Sequence, residues 1–170
     1  MKKVGNKVIV IGSPGSGKST FSKKLAKMLK LPLIHLDKEY WNSGWAQTPK
    51  EEWREKQEEF IKGDKWIIDG NYGSTMDIRL KEADTIVCFN LSRTICLFRA
   101  FKRYISNINK VRDDMAEGCK ENFDFEFAKY IWDFPKSFGE RNLKIINENS
   151  NKKIIIFKKR NDANNFIKSL

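Results

Sequence analysis

Val8-Ile9-Val10-Ile11-Gly12-Ser13-Pro14-Gly15-Ser16-Gly17-Lys18-Ser19-Thr20 is the stretch that decides the fold. Four consecutive β-branched residues suit a strand buried on both faces. Directly after them stands G-x-x-x-x-G-K-[ST], the pattern of a phosphate-binding loop. Each residue type has a reason. Glycines let the backbone curl until successive N–H groups point inward at phosphate oxygens, and a helix opening near Lys18 adds the positive end of its dipole. Lys18 supplies a compact cation for the β- and γ-phosphates, and Ser19 a hydroxyl ligand for magnesium. Residues 12–20 are therefore the expected nucleotide site, with ATP and Mg2+ as cofactors.

Outward from the loop the period changes to that of a helix, with Phe21, Leu25, Met28 and Leu29 on one face and Pro32 as its end. Residues 33–36 read as a second short strand stopping at Asp37. Thr48-Pro49-Lys50-Glu51 reads as a capping box opening a helix whose apolar side holds Trp53, Gln57, Phe60 and Ile61. Trp66-Ile67-Ile68, residues 85–91 and residues 154–157 are further buried-strand candidates. Ser92 is placed to cap a long helix with the stripe Ile95, Phe98, Phe101, Ile105 and Ile108 facing the core. The aromatic-rich residues 123–138 read as one or two helices interrupted near Pro135. Strands alternating with helices give an α/β fold: a P-loop NTPase with a five-stranded parallel sheet flanked by helices on both faces. In such sheets ligands bind at the carboxyl ends of the strands, where Gly12, Asp37, Asp69 and Ser92 all fall.

The chain of 170 residues, 40% apolar and 32% charged, fits one domain with a sizeable core. No apolar run is long enough to cross a bilayer. The start Met1-Lys2-Lys3 reaches the glycine-rich loop too soon for a signal peptide. Cys88, Cys96 and Cys119 lack the paired spacing of a disulfide framework or a zinc site. A cytoplasmic protein with no membrane partner is the expectation. The formal charge of +11 favours anionic partners, or simply reflects a lysine-rich surface.

Among the candidate residues, Asp69 at the end of Trp66-Ile67-Ile68 is placed to hold magnesium through a water. Asp37 either accepts a proton from an acceptor hydroxyl or joins the metal shell. His35, the one histidine, reads as a core residue outside the site. Arg93, Arg99, Lys102, Arg103, Lys110 and Arg112 run without an acidic residue between them. Arg99 and Arg103, one helical turn apart, are suited to clamp a triphosphate opposite the loop. Trp53 belongs to the core, whereas Trp41 and Trp45 stay open as acceptor contacts.

These motifs resemble the adenylate-kinase-like group of small P-loop kinases, and within it the bacterial DNA topology modulation proteins. The resemblance runs over residues 8–141 and rests on His35-Leu36-Asp37 with Tyr40-Trp41 and Gly44-Trp45, on Trp66-Ile67-Ile68-Asp69-Gly70-Asn71-Tyr72, and on Arg79-Leu80 with Ala83-Asp84. Leu97-Phe98-Arg99, Lys102-Arg103 and Gly118-Cys119 with Glu121 complete it. It implies an acceptor-binding region over residues 37–63, a lid over residues 103–123, and lid-opening arginines at Arg99 and Arg103. Arg141 is implied to reach the phosphates on lid closure. The group's Phe-Pro-Arg after Asp-Gly is replaced here by Asn71-Tyr72-Gly73, which counts against AMP as acceptor. Arg79 then stands in for the missing arginine, with Asn71, Tyr72, Trp41 and Asp37 as the other acceptor contacts. The function implied is transfer of the ATP γ-phosphate to a small acceptor, a nucleotide or nucleoside among the candidates. The alternative is an ATP-binding regulator acting on DNA topology; the chain carries no recognisable DNA-binding motif.

Overall fold

Alternation along the central strand sorts the molecule into layers. In the computed structural model, which describes residues 4–108 and 110–170, β1 (Lys7–Gly12) is almost wholly buried. Its Val8 and Val10 join one core with Phe21, Leu25, Ile67, Val87, Cys96, Ala100, Ile131 and Ala163. Its Ile9 and Ile11 face a second core with Leu36, Trp53, Trp66, Ile68, Met76, Ile86 and Ile146. Each fully buried aliphatic contributes about 1.5–3 kcal/mol, so a strand apolar on both faces holds both helical layers. Met1, Lys2, Lys3 and Asn109 lie outside the described residues, and with them the Met1-Lys2-Lys3 start and one position of the lid.

In chain order, β1 leads through the glycine loop into α1 (Lys18–Leu29), β2 (Leu33–His35) and the single-turn α2 (Leu36–Tyr40). A small antiparallel pair, β3 (Trp41–Asn42) and β4 (Ala46–Gln47), precedes α3 (Lys50–Phe60), β5 (Trp66–Asp69), α4 (Met76–Glu82) and β6 (Thr85–Phe89). Then come α5 (Arg93–Ser106), α6 (Phe125–Phe134), a wide helical turn at Pro135–Gly139, α7 (Glu140–Glu148), β7 (Lys153–Phe157) and α8 (Arg160–Lys168). The large sheet is five-stranded and parallel in the order β2-β5-β1-β6-β7. The α/β class and its five parallel strands are as expected from the sequence.

Four local expectations fail. Leu36 is not strand but the first residue of α2, which brings Asp37 into a helical turn. Thr48 caps nothing: its hydroxyl donates to the Tyr40 carbonyl at 2.5 Å, tying the β4 end back to α2, and Ser92 gives α5 no side-chain cap either. The stripe on α5 faces solvent, with Phe98 67% and Ile105 53% exposed. The buried side is the small pair Cys96 and Ala100, because α5 packs backbone to backbone against the glycine loop.

Candidate functional site

The loop between β1 and α1 is held by close approaches that only glycine allows. A Cβ on Gly15 (φ 75°) would stand 2.2 Å from the Cys96 carbonyl oxygen of α5, and one on Gly17 (φ 100°) 2.8 Å from an Arg99 guanidinium nitrogen. The Ser16 N–H donates to the Ser13 carbonyl at 3.2 Å, and α1 starts at Lys18 with Gly17 left-handed before it. The Lys18 ammonium folds back to donate to the Ser13 carbonyl at 3.0 Å. Burial lowers its pKa, against the opposing pull of Asp69 and Asp37. Gly12, Ser13, Pro14, Ser16, Ser19 and Thr20 complete this turn, a cup of backbone donors at a helix N-terminus suited to an anion.

The strands beside β1 deliver the carboxylates. Parallel pairing sets Asp69 of β5 against Val10 of β1 on one side and against His35 of β2 on the other. Asp69 is 4% exposed; its Oδ2 lies 3.0 Å from His35 Nδ1, while Oδ1 is buried with no hydrogen-bond partner. A buried, open carboxylate oxygen near an ammonium suits a hard cation carried by phosphate oxygens, so Asp69 and Ser19 fit a magnesium role. Among the described residues no cluster of three or more His, Cys, Asp or Glu side chains forms a metal cage by itself. Magnesium, which commonly keeps its waters and is held by one or two protein groups plus phosphate, needs none.

Asp37 presents a face to solvent yet is crowded by protein around its carboxylate, and that desolvation raises its pKa. The Tyr72 hydroxyl donates to Asp37 Oδ1 at 2.8 Å and, with Lys18, pulls the other way. Tyr72 sits in a left-handed conformation (φ 35°) on the turn after β5, its ring against Tyr40 and Trp53. Trp41 lies edge-on to Tyr40 and Trp45 and packs against Met115, Ala116 and Cys119. The structure thus gathers Asp37, Trp41 and Tyr72 on one side of the loop.

Two expected acceptor contacts have other duties. Arg79 is fully buried and its guanidinium donates to the carbonyls of Gly70, Asn71 and Tyr72 at 2.9, 2.7 and 3.0 Å. It shapes the turn that carries Asn71 and Tyr72. The Asn71 amide is likewise engaged, donating to the Gly12 carbonyl at 2.9 Å and accepting from the Gly12 N–H at 3.0 Å. Arg141 is tied to the Gly73 carbonyl at 2.7 Å rather than extended over the loop.

The arginines of α5 divide. Arg99 lies over Gly17, in place to meet a phosphate in the loop. Arg103 instead donates through Nε and Nη2 to Glu121 Oε1, both at 2.8 Å. Glu121, 4% exposed, is also 2.6 Å from Arg112 Nε, and Arg112 reaches Asp114 at 3.2 Å. Residues 112–121 are held on three sides: by this cluster, by Lys23 to Asp113 at 2.5 Å, and by the Cys119 thiol to the Asn42 carbonyl at 3.3 Å. Met115, Ala116 and Cys119 pack on Trp41.

The sequence reading set His35 aside as a core residue and named Glu121 only within the family resemblance. The pairing of His35 with Asp69 depends on strand register, and that of Glu121 with Arg103 and Arg112 on contacts that spacing does not show.

No family model matches the chain. The L-seryl-tRNA(Sec) kinase of Methanococcus maripaludis is 30% identical over 178 aligned positions, covering 86% of this chain and 68% of that protein. Among solved structures, the shikimate kinase of Bacteroides thetaiotaomicron is 16% identical with a TM-score of 0.56, covering 95% of this chain and 94% of its own. The shikimate kinase of Acinetobacter baumannii, in complex with shikimate, is 14% identical with a TM-score of 0.61, covering 96% and 90%. At such identities the structures speak for the fold.

Proposed function

We propose, because the chain belongs to the kinase family that includes L-seryl-tRNA(Sec) kinase, that it transfers the γ-phosphoryl group of ATP to a hydroxyl of a small acceptor. The observation that carries this reading is that Lys18, at the start of α1, feels the charges of Asp69, at the end of β5, and of Asp37, in α2, next to a loop built for phosphate. The loop amides and Lys18 hold the β- and γ-phosphates. Ser19 and Asp69 would hold magnesium, which would supply neutralisation of phosphate charge when bound. Asp37, open to solvent with its pKa raised, takes the proton of the acceptor hydroxyl as the oxygen attacks phosphorus. The Tyr72 hydroxyl keeps the Asp37 carboxylate turned toward the acceptor. Arg99 balances the charge spreading over the equatorial oxygens, and Arg103 joins it from the lid side.

Residues 103–123 act as the lid and residues 37–63 as the acceptor side, all within one domain. Water competes for the phosphoryl group, and a lid resting on Trp41 excludes it. Nothing observed favours the alternative of a regulator acting on DNA topology. The test is transfer of label from [γ-32P]ATP to a panel of nucleosides, nucleotides, shikimate and seryl-tRNA, with Lys18→Ala beside the wild type. A labelled acceptor with the wild type and none with Lys18→Ala is the expected result. ADP formation indifferent to every acceptor, or equal in Lys18→Ala, refutes the reading.

A further inference from the structure

The carboxylate assigned to magnesium is not free to turn, and what holds it is the chain's single histidine. His35 and Asp69 are register partners across β2 and β5, and their side chains are 11% and 4% exposed. An ionised carboxylate only accepts hydrogen bonds, so the 3.0 Å contact requires the proton to sit on His35 Nδ1. That bond uses Asp69 Oδ2 and leaves Oδ1 buried and open. His35 Nε2 is also buried without a partner, which a bare acceptor nitrogen tolerates better than a stranded N–H. A ring that merely filled core space would not need its one polar contact on the carboxylate nearest the loop lysine.

We infer that His35 is the positioning residue of the magnesium site: its Nδ1–H fixes Asp69 so that Oδ1 faces the metal shell. The inference rests on the kinase reading above and goes beyond it in assigning a role to a side chain that touches neither nucleotide nor acceptor. Outer partners of metal-binding groups commonly tune affinity by about 10- to 100-fold, because an unrestrained carboxylate must be oriented at each binding event.

The test measures the affinity of a fluorescent ADP analogue with magnesium and with EDTA, and takes the ratio as the magnesium gain. Asp69→Asn should abolish most of the gain. His35→Phe, which keeps the ring volume and loses the donor, should reduce it by roughly tenfold or more. His35→Asn, which restores an N–H near the Nδ1 position, should recover most of it. In turnover, His35→Phe should lower kcat while the acceptor KM stays put. Because the chain has one histidine, a 15N–1H correlation on the wild type reads the ring directly. Nδ1 should carry the proton at neutral pH, and the ring signals should move with magnesium–ADP but not with ADP in EDTA; this arm stands even if a variant fails to fold. A full magnesium gain in folded His35→Phe, or a proton on Nε2 alone, overturns the inference and leaves the kinase reading intact. An unchanged gain in Asp69→Asn overturns the metal assignment and this inference together, whereas an absence of nucleotide binding by the wild type removes the kinase reading itself.

Discussion

Replacing Arg79 by methionine separates a substrate contact from a structural one. The guanidinium is fully buried and makes three hydrogen bonds to carbonyls of the Gly70–Tyr72 turn. A hydrogen bond from a charged donor is worth about 1.5–3 kcal/mol, and desolvating the guanidinium takes back several kcal/mol of that sum. Burial indeed pulls the pKa of Arg79 down. Removing the guanidinium leaves three carbonyls unpaired at about 1–3 kcal/mol for each that stays buried, a net loss of roughly 3–5 kcal/mol once the desolvation of the charge is relieved. For a chain of this length that lowers Tm by roughly 6–20 °C. Lysine should not rescue, because one ammonium cannot span three carbonyls. The assay is thermal denaturation followed by circular dichroism, with acceptor KM measured well below the transition. A Tm within a degree or two of wild type, together with a raised acceptor KM, would falsify the structural role and restore Arg79 as an acceptor contact.

Arg99→Ala should cost turnover about a hundredfold, or on the order of 3 kcal/mol, with a much smaller loss in ATP affinity, while exposed Lys102→Ala does little; steady-state kinetics decides, and equal losses would mean surface charge only. Glu121→Gln loosens its hold on Arg103 and Arg112, so the lid should become a faster proteolytic target over residues 110–120, whereas unchanged cleavage would show the cluster is not a restraint. The acid limb of the kcat/KM profile should lie above the ordinary carboxylate range, because Asp37 must lose a proton that its crowded setting retains. Tyr72→Phe removes a hydrogen bond that favours the ionised form, so the limb should move to higher pH; a shift the other way would exclude Asp37 as base. Stability at this residue runs oppositely to that of a salt-bridged acid: a raised folded pKa means its contribution falls as pH climbs from the ordinary value through the raised one.

The large sheet was legible because its strands are runs of β-branched residues that fit few other structures, and the loop because its glycines have no cheaper explanation. Asp69 was legible as a strand-end carboxylate, whereas Asp37, expected at a strand end, falls in the helical turn α2. The bonding of Arg79 was not legible: a helical position gives no sign that a guanidinium turns inward to three carbonyls. His35 was hidden for a related reason, since its partner lies 34 positions away and is defined only by the alignment of β2 on β5. On α5 the hydrophobic period pointed to the large residues, while contact with a glycine loop selects the small ones, Cys96 and Ala100. Period reports which residues share a side, not which side meets a backbone at close range.

The Asn71 amide continues the pairing of β5 with β1 past the end of β5, giving Gly12, the last residue of β1, the two bonds that a neighbouring residue of sheet would give. The next residue, Tyr72, holds Asp37. On the proposed kinase reading, donor cradle and proton acceptor are therefore stitched into the same block, so their alignment would be settled when the chain folds rather than at every turnover. Movement of the proposed lid would then be left with exclusion of water. Changes of acceptor over evolution are then cheapest in the Trp41–Gln47 hairpin, which sits beyond the stitch and can be rebuilt without disturbing the geometry of transfer.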